Sequence, residues 1–565
     1  MPLWNWFVDP SSDRGLHLAS TDVSEWIFTP YSELATMTRR SAWQLREAGV
    51  TAGDVVAVAR SAGPEFVADF FGALLIGATP APVAPPVALG EENRYLKKAR
   101  QVFVSAGARV VTGTETVGRR LRPIADELSV RILTDTTAAT PLSDAGPQTP
   151  EIALIQHSSG STTAPKGVRI PFRSLQASVT AMRHWLELET TDSFSTWLPM
   201  HHDMGLVGTL LLPLDSGLDI WMMRPEQFVQ SPARWVRSFS PGQGTVTATP
   251  NLGLAHVVRR MRPADLEGLD LTGWRTAVVG AERIDHDVIR SFTDLLSPCG
   301  LRPDVLVPAY GMAEATLAIT GRRAGSPMRS VTVDPSSLTM GGAVRVTTDE
   351  AVGTTLVSCG EPLDGMSVQL RGEAGEALGD DTLGEIEVSG VSIAAGYTGG
   401  TGGSAITADG TLTTGDAGFR HDGELYVVGR LGDSIKQFGR WFFAEDIEQR
   451  AAAVSPYPTR TVALVGGLQG RNTAVVLMER EPSPASAQRI GAAVMRHLND
   501  IRVLVLGVPV GTIMRTTSGK PMRRAMWRRL VDDDIETRVW WDSGDPAAVP
   551  AGAAETGGRT EPARL

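Results

Sequence analysis

At 565 residues the chain is too long for one ordinary hydrophobic core, so two or more domains are expected. Hydrophobic residues make up 42% and charged residues 21%, which excludes the disordered and membrane-embedded composition classes. A formal net charge of -10, from 63 acidic and 53 basic residues, argues against nucleic-acid binding through a general basic surface.

In chain order, the N-terminal MPLWNWFVDPSSDRG lacks a basic segment followed by a long apolar one, and no later stretch approaches ~18 uncharged apolar residues. Neither an export signal nor integral membrane contact is expected. VVAVA from residue 55 predicts a strand. EFVADFFGALLIGA from 65 predicts a helix whose Phe66, Phe70, Phe71, Leu74 and Leu75 pack on a sheet. IALIQ from 152, FSTWL from 194 and RTAVVG from 275 predict further strands, in the rhythm of an α/β fold with parallel strands. After about residue 385 the pattern changes: IEVSG, LYVVG and WFFAEDIE give short strand or turn signals, then compact α+β segments run to about Trp541. A boundary near Arg430 separates an N-terminal domain, 1–430, from a C-terminal one, 431–541. Residues 542–565 are rich in Gly, Pro and Ala with almost no large apolar side chain, and predict a disordered tail. The two cysteines, Cys299 and Cys359, are too few for a disulfide framework or a cysteine zinc site, so a reducing, cytoplasmic location is expected.

HSSGSTTAPKG, residues 157–167, packs five hydroxyls, two glycines and a lysine behind the apolar run Ile152–Ile155. Backbone N–H groups and hydroxyls aimed at one point, with glycines permitting close approach, suit a phosphate. Lys166 adds a point charge for a polyphosphate, and Pro165 restricts the loop. The spacing is not that of a Walker P-loop, and taken alone the stretch also reads as a surface linker.

Its company decides between them. SSGSTTAPKGV, PAYGMAEAT from 308, TTGDAGF from 413, GELYVVGR from 423 and RTTSGKPMRR from 515 occur in this order. Together they resemble the motifs of the adenylate-forming superfamily, which includes acyl-CoA synthetases, luciferases and peptide-synthetase adenylation domains. The resemblance covers about residues 26–541. It implies a large N-terminal domain of layered mixed and parallel sheets with helices, and a small mobile α+β C-terminal domain. It also implies ATP and Mg²⁺ as cofactors, and activation of a carboxylic acid as an acyl adenylate with release of pyrophosphate.

By this resemblance Ser158, Ser159, Gly160, Ser161, Thr162 and Lys166 form the pyrophosphate loop. Gly280, Ala281 and Glu282 form an adenine-binding turn, joined by Tyr310, Gly311 and Met312, with the Tyr310 ring stacking on adenine. Asp416 and Arg430 bind the ribose. Glu314 binds Mg²⁺, a hard ion suited to carboxylate oxygen. Lys520 is the catalytic lysine that bridges the substrate carboxylate and the α-phosphate. Because it stands more than three hundred residues beyond the phosphate loop, the C-terminal domain must close over the site. The hinge falls between Arg430 and Lys436. The superfamily usually carries Asp or Lys two residues after this arginine, whereas here Gly432 stands, followed by Asp433. Thr163 and Ala313 are smaller departures, standing where many relatives have Gly and Thr.

Within the superfamily, WLPMHHDMGLVGTLLLPL from 197, PEQFVQSPARWVRSF from 225, TPNLGLA from 249, AEATL and GRWFFAEDIE resemble fatty acyl-AMP ligases. The polar stretch at 321–350 has the place and length of the insertion that these ligases carry. The resemblance implies a fatty or other carboxylic acid as substrate and an acyl carrier protein with a phosphopantetheine arm as partner, in a lipid, polyketide or peptide natural-product pathway. An acyl-CoA ligase and an inactive carrier-binding scaffold are the alternatives. His202 and Met204 are expected at the acyl substrate, with Val207, Leu210, Trp221 and Met222 candidates for an apolar tunnel. His201 and His202 are expected to point apart, and no metal is expected on them.

Overall fold

The computed structural model describes residues 3–22, 25–86, 92–134, 142, 146–157, 166–349, 353–399, 405–498, 501–516 and 519–544. Six parallel strands run side by side in the order Leu306–Gly311, Thr276–Gly280, Val246–Pro250, Ser193–Thr196, Asp219–Met222 and Gly15–Ala19. Antiparallel strands Ala318–Gly321 and Glu361–Pro362 extend one edge, and Trp26–Pro30 the other. Thr276–Gly280 and Val246–Pro250 are buried at every position, as strands covered on both faces must be. A second parallel sheet joins Thr79–Pro82, Val55–Val58, Ala108–Thr112 and Arg131–Leu133. The fold is mixed α/β.

Two departures from the sequence expectation concern the N-terminal half. Strand Ile152–His157 lies outside both parallel sheets and pairs antiparallel with Gly167–Pro171, so the phosphate-loop candidate is the connection of a hairpin. The helix Pro64–Leu75 is buried along its whole length apart from Glu65, not on one face alone. The N-terminus supplies part of its cover: Trp4 and Trp6 meet Phe71 edge-on at 5.3 and 5.0 Å. Leu3 N donates to the buried Asp215 carboxylate, which anchors this segment. Among residues 3–22, Leu3, Trp4, Trp6, Phe7, Leu16 and Ala19 are thus built into the main core.

An antiparallel five-stranded sheet follows, in the order Ala377–Leu378, Met366–Arg371, Gly384–Gly390, Leu412–His421 and Glu424–Arg430. The described part of 321–350 packs on it. Strand Ser330–Val333 pairs with Thr354–Val357. Val333, Leu338, Val344 and Leu356 are buried with Phe419, Tyr426, Val428 and Phe443. A stretch read as polar thus contributes three buried apolar side chains, Val333, Leu338 and Val344, because its hydrophobic positions are isolated in sequence and adjacent only in space.

Beyond Arg430, the short turn Leu431–Asp433 leads into the ribbon Ser434–Gln437 and Arg440–Phe443. Strands Thr461–Leu468, Arg471–Met478, Arg502–Gly507 and Arg538–Asp542 form a separate four-stranded sheet. Helices Ala444–Val454 and Pro484–Met495 cover one of its faces, and Arg523–Val531 the other. The expected tail begins too early at 542: Asp542 closes the last strand and accepts from Arg502 at 3.0 and 2.6 Å, and Gly544 N donates to Asp542 at 2.8 Å. Residues 545–565 lie outside the described residues. Among the described residues no helix is long and apolar enough to cross a membrane.

Candidate active site

The neighbouring parallel strands Thr276–Gly280 and Leu306–Gly311 bring Gly280–Glu282 and Tyr310–Met312 to one edge of the main sheet, where α/β folds place their ligands. Gly311 must be glycine, since a Cβ there would lie 2.0 Å from the Leu317 carbonyl. Ala281 holds φ of 67°, in the left-handed region that non-glycine residues enter mainly at turns and sites. Glu282 accepts from Leu252 N at 2.6 Å, so its side chain props the start of the helix Asn251–Arg260.

Asp416 and Arg430 are register partners on adjacent antiparallel strands. Arg430 Nε donates to Asp416 Oδ1 at 2.9 Å, and the Tyr310 hydroxyl donates to Oδ2 at 2.8 Å. Each carboxylate oxygen keeps a second acceptor direction, so the buried Asp416 can still receive two ligand hydroxyls. Burial, then the adjacent Asp416 charge, raises the Tyr310 pKa well above 10, which keeps the phenol a donor. Asp416 in turn holds the Arg430 guanidinium more firmly protonated.

Glu314 sits on the short turn Ala313–Ala315, where its Oε1 accepts from the Tyr397 hydroxyl at 2.9 Å. Lys166 Nζ lies 5.0 Å from the centre of the same Tyr397 ring, within cation–π range. Tyr397 therefore links the phosphate-loop lysine to the expected metal carboxylate. It was missed in the sequence because "AAGYTGG" carries no chemical signature of its own. Ser158, Ser159, Gly160, Ser161 and Thr162 lie outside the described residues.

The helical run Met204–Leu211 has π geometry and is capped by Asp203, whose side chain accepts from Met204 N at 2.8 Å. Met204, Val207 and Leu210 are buried along it, with Met204 beside Gly280. In strand Asp219–Met222, adjacent side chains face opposite ways, so Trp221 and Met222 cannot line one tunnel. Trp221 instead stacks on His17 at 4.0 Å. The rings of His201 and His202 lie side by side, with centroids 4.7 Å apart, not pointing apart as in a strand, because the two residues occupy a turn.

Lys520 reaches this assembly from the C-terminal sheet. Thr516 N donates to Lys520 O at 2.8 Å and Lys520 N to Thr516 Oγ1 at 3.1 Å, forming a tight turn whose Gly519 rests against Leu252. The lysine's charge acts on His202, Asp203 and Glu282 together. Burial raises the Asp203 and Glu282 carboxyls, opposed by their backbone donors and by Lys520, while the Glu314 charge raises Asp203 further. Asp203 is a second residue that the sequence reading passed over. Arg283 Nη1 meets Asp446 at 2.5 Å, with both side chains largely buried, and ties the segment after Gly280–Glu282 to the helix Ala444–Val454. Arg450 donates to Thr354 at 2.9 Å, and Trp441 N to Leu338 O at 3.2 Å, which joins the C-terminal part to the 321–350 region.

Among the described residues no three His, Cys, Asp or Glu side chains cluster as a metal site. Glu314 alone still fits Mg²⁺, which keeps several waters and takes one or two carboxylates plus phosphate oxygens. The histidines set an acid limit. Burial lowers His157 and His201 to about 4, and neither His157 ring nitrogen has a hydrogen-bond partner among the described residues. Both stay neutral in the folded chain while the unfolded chain takes up protons below pH 6.5. Their contribution is complete above that pH and is lost as pH falls toward 4, by up to roughly 3 kcal/mol each. Thermal melts from pH 7 to 4.5 should show the midpoint falling, and His201→Gln should flatten that fall; an unchanged slope would remove His201 from the account.

Residues 16–398 match the family model described as AMP-binding enzyme. The medium-chain-fatty-acid–[acyl-carrier-protein] ligase JamA of Moorena producens is 32% identical over 523 residues, covering 86% of this chain and 88% of JamA. The long-chain-fatty-acid–AMP ligase FadD26 of Mycobacterium marinum is 30% identical over 514 residues, covering 85% of this chain and 88% of FadD26. A solved chain from studies of fatty acyl-adenylate ligases of E. coli and L. pneumophila superimposes with a TM-score of 0.87 at 28% identity, covering 94% of this chain and 98% of that one. The family match over residues 16–398, with relatives 30–32% identical over most of both chains, places the protein in the AMP-binding enzyme family.

Proposed function

We propose that the chain is an ATP-dependent ligase that activates a fatty acid as its acyl adenylate and delivers the acyl group to the phosphopantetheine thiol of an acyl carrier protein. The observation that carries this reading is that the Lys520 turn packs through Gly519 on Leu252, whose N–H donates to Glu282, which brings the lysine's charge to bear on His202, Asp203 and Glu282. In this reading a cation from the C-terminal part serves the point at which an anionic nucleophile approaches a polyanion.

In the first step a carboxylate oxygen of the acid attacks the α-phosphorus, and the bond from that phosphorus to the pyrophosphate bridging oxygen breaks. Lys520 neutralises charge between the two reactants, an electrostatic role that matters most in a site shielded from water. Asp416 and Arg430 hold the ribose, and Tyr310 covers the adenine. Lys166 attracts the departing pyrophosphate. Glu314 would hold Mg²⁺, which when bound supplies further charge neutralisation at the phosphates. His202, kept neutral by burial and by its cationic neighbours, offers no competing positive charge to the acid. In the second step the carrier thiol attacks the acyl carbon, the acyl–phosphate C–O bond breaks, AMP leaves, and the thiol proton passes to solvent.

The two free cysteines, Cys299 and Cys359, suit a reducing cytoplasmic setting. The test is ATP–pyrophosphate exchange with octanoate, dodecanoate, palmitate and benzoate. Exchange that depends on a fatty acid is expected. Exchange with none of them would overturn the reading.

A further inference from the structure

Gly432, the departure at the hinge, has a spatial counterpart. A Cβ built on it would lie 1.5 Å from Arg524 Nη2 and 2.5 Å from Arg524 Cζ, so a guanidinium occupies the place of the missing side chain. Arg524 Nε donates to the Gly432 carbonyl at 3.2 Å, and Nε lies 3.7 Å from the Asp433 carboxylate. Asp433 is only 8% exposed, an unusual burial for a charge on a connecting turn, and Arg524 is its counter-ion there. The preceding residue, Arg523, is bound to the body of the C-terminal part through Glu448 at 2.8 Å, Glu445 at 3.3 Å and the Ala463 carbonyl at 3.1 Å. The five residues from Lys520 to Arg524 therefore connect the lysine turn to the linker turn through one anchored helix start.

We propose that Arg524 is a positioning residue for adenylation. Its guanidinium replaces the hinge side chain that Gly432 lacks and holds the linker in the state in which Lys520 faces the nucleotide. This role rests on the adenylate-forming function above and on rotation at 431–433 between the two half-reactions. The geometry supplies the bias. A carbonyl bonded to a planar guanidinium that extends from an anchored helix start has one direction, and a change of φ or ψ at Gly432 turns it away. The bond then exists in one linker state and not in the other. Glycine leaves room for the guanidinium and keeps the linker free to turn once the bond breaks.

The experiment measures the two half-reactions separately in the full chain. One assay is ATP–pyrophosphate exchange with dodecanoate, and the other is single-turnover transfer from purified dodecanoyl adenylate to pantetheine. Arg524→Ala is expected to slow exchange about 10-fold, the worth of a hydrogen bond to a charged donor, with KM for ATP and acid little changed and transfer undiminished. Gly432→Ala puts a Cβ where the flexible arginine tip lies and displaces it without adding a charge or burying anything new, so it folds and shows a similar loss. Because both substitutions break the same contact, the double variant should lose no more than either alone. Arg524→Gln, which keeps much of the side chain's bulk, guards against loss of packing and should behave like Arg524→Ala.

Losses that add in the double variant would overturn the proposal, as would equal slowing of both half-reactions or wild-type exchange in Arg524→Ala. A wild-type chain with no acid-dependent exchange would overturn the adenylating function and this role with it. Normal wild-type exchange beside an unaffected Arg524→Ala would overturn the positioning role alone.

Discussion

Replacing Lys520 with methionine is expected to slow fatty-acid-dependent ATP–pyrophosphate exchange by about 10²–10³-fold, the usual loss when one preorganised electrostatic donor is removed. The methionine keeps length and apolar bulk, so the turn between Thr516 and Lys520, held by backbone groups and the Thr516 hydroxyl, should survive. The loss should fall on kcat with little change in KM, since the ammonium acts where charge develops. Transfer of a preformed adenylate to a thiol follows the proposed turn at 431–433, which takes Lys520 away from the nucleotide, and should slow by less than about 10-fold. Equal loss in both half-reactions would assign Lys520 to the fold and not to the first step.

Reversing one partner of the Arg283–Asp446 pair should have the second-largest effect. Both side chains are 14% exposed, and the pair joins the segment after Ala281 and Glu282 to the helix Ala444–Val454. Asp446→Arg would set two guanidinium groups face to face and leave Arg283 without its counter-ion, a cost of about 2 kcal/mol or more, or roughly 30-fold in the population of the state with Lys520 in place. Exchange should drop by that factor while the melting temperature of the main core changes little. The swapped pair, Arg283→Asp with Asp446→Arg, should recover much of the loss. Two independent losses that simply add would show that the contact does not connect the two parts.

The functional reading was open in the sequence wherever chemistry restricts residue type within a short window. Asp416 and Tyr310 stand in separate motifs, yet both were legible, and the hydrogen bond between them at 2.8 Å explains why they belong together. The strands were legible from their apolar runs, but their pairing was not. Nothing in IALIQ distinguishes a parallel strand from one that turns back on Gly167–Pro171. Partners across long stretches of chain were invisible for the same reason. Tyr397 meets Glu314 at a separation of 83 residues, and Arg524 meets Gly432 at 92. Neither pair has local spacing to announce it. Gly432 was legible only as a departure at the hinge, because the group that fills the space beside it comes from another helix. Trp4 and Trp6 lay outside the stretch covered by the resemblance, and their cover for Phe71 became evident only once the helix carrying it was seen to be buried along its length.

The most direct test of the account is a mass-resolved product analysis after the purified chain is mixed with ATP, Mg²⁺, dodecanoate and free coenzyme A in excess. Dodecanoyl adenylate and pyrophosphate should accumulate on the enzyme, with the acyl group leaving only when a phosphopantetheinylated carrier is added. Rapid, stoichiometric conversion to dodecanoyl-coenzyme A without a carrier would contradict carrier-directed transfer, and absence of the adenylate altogether would contradict the chemistry assigned to Lys520.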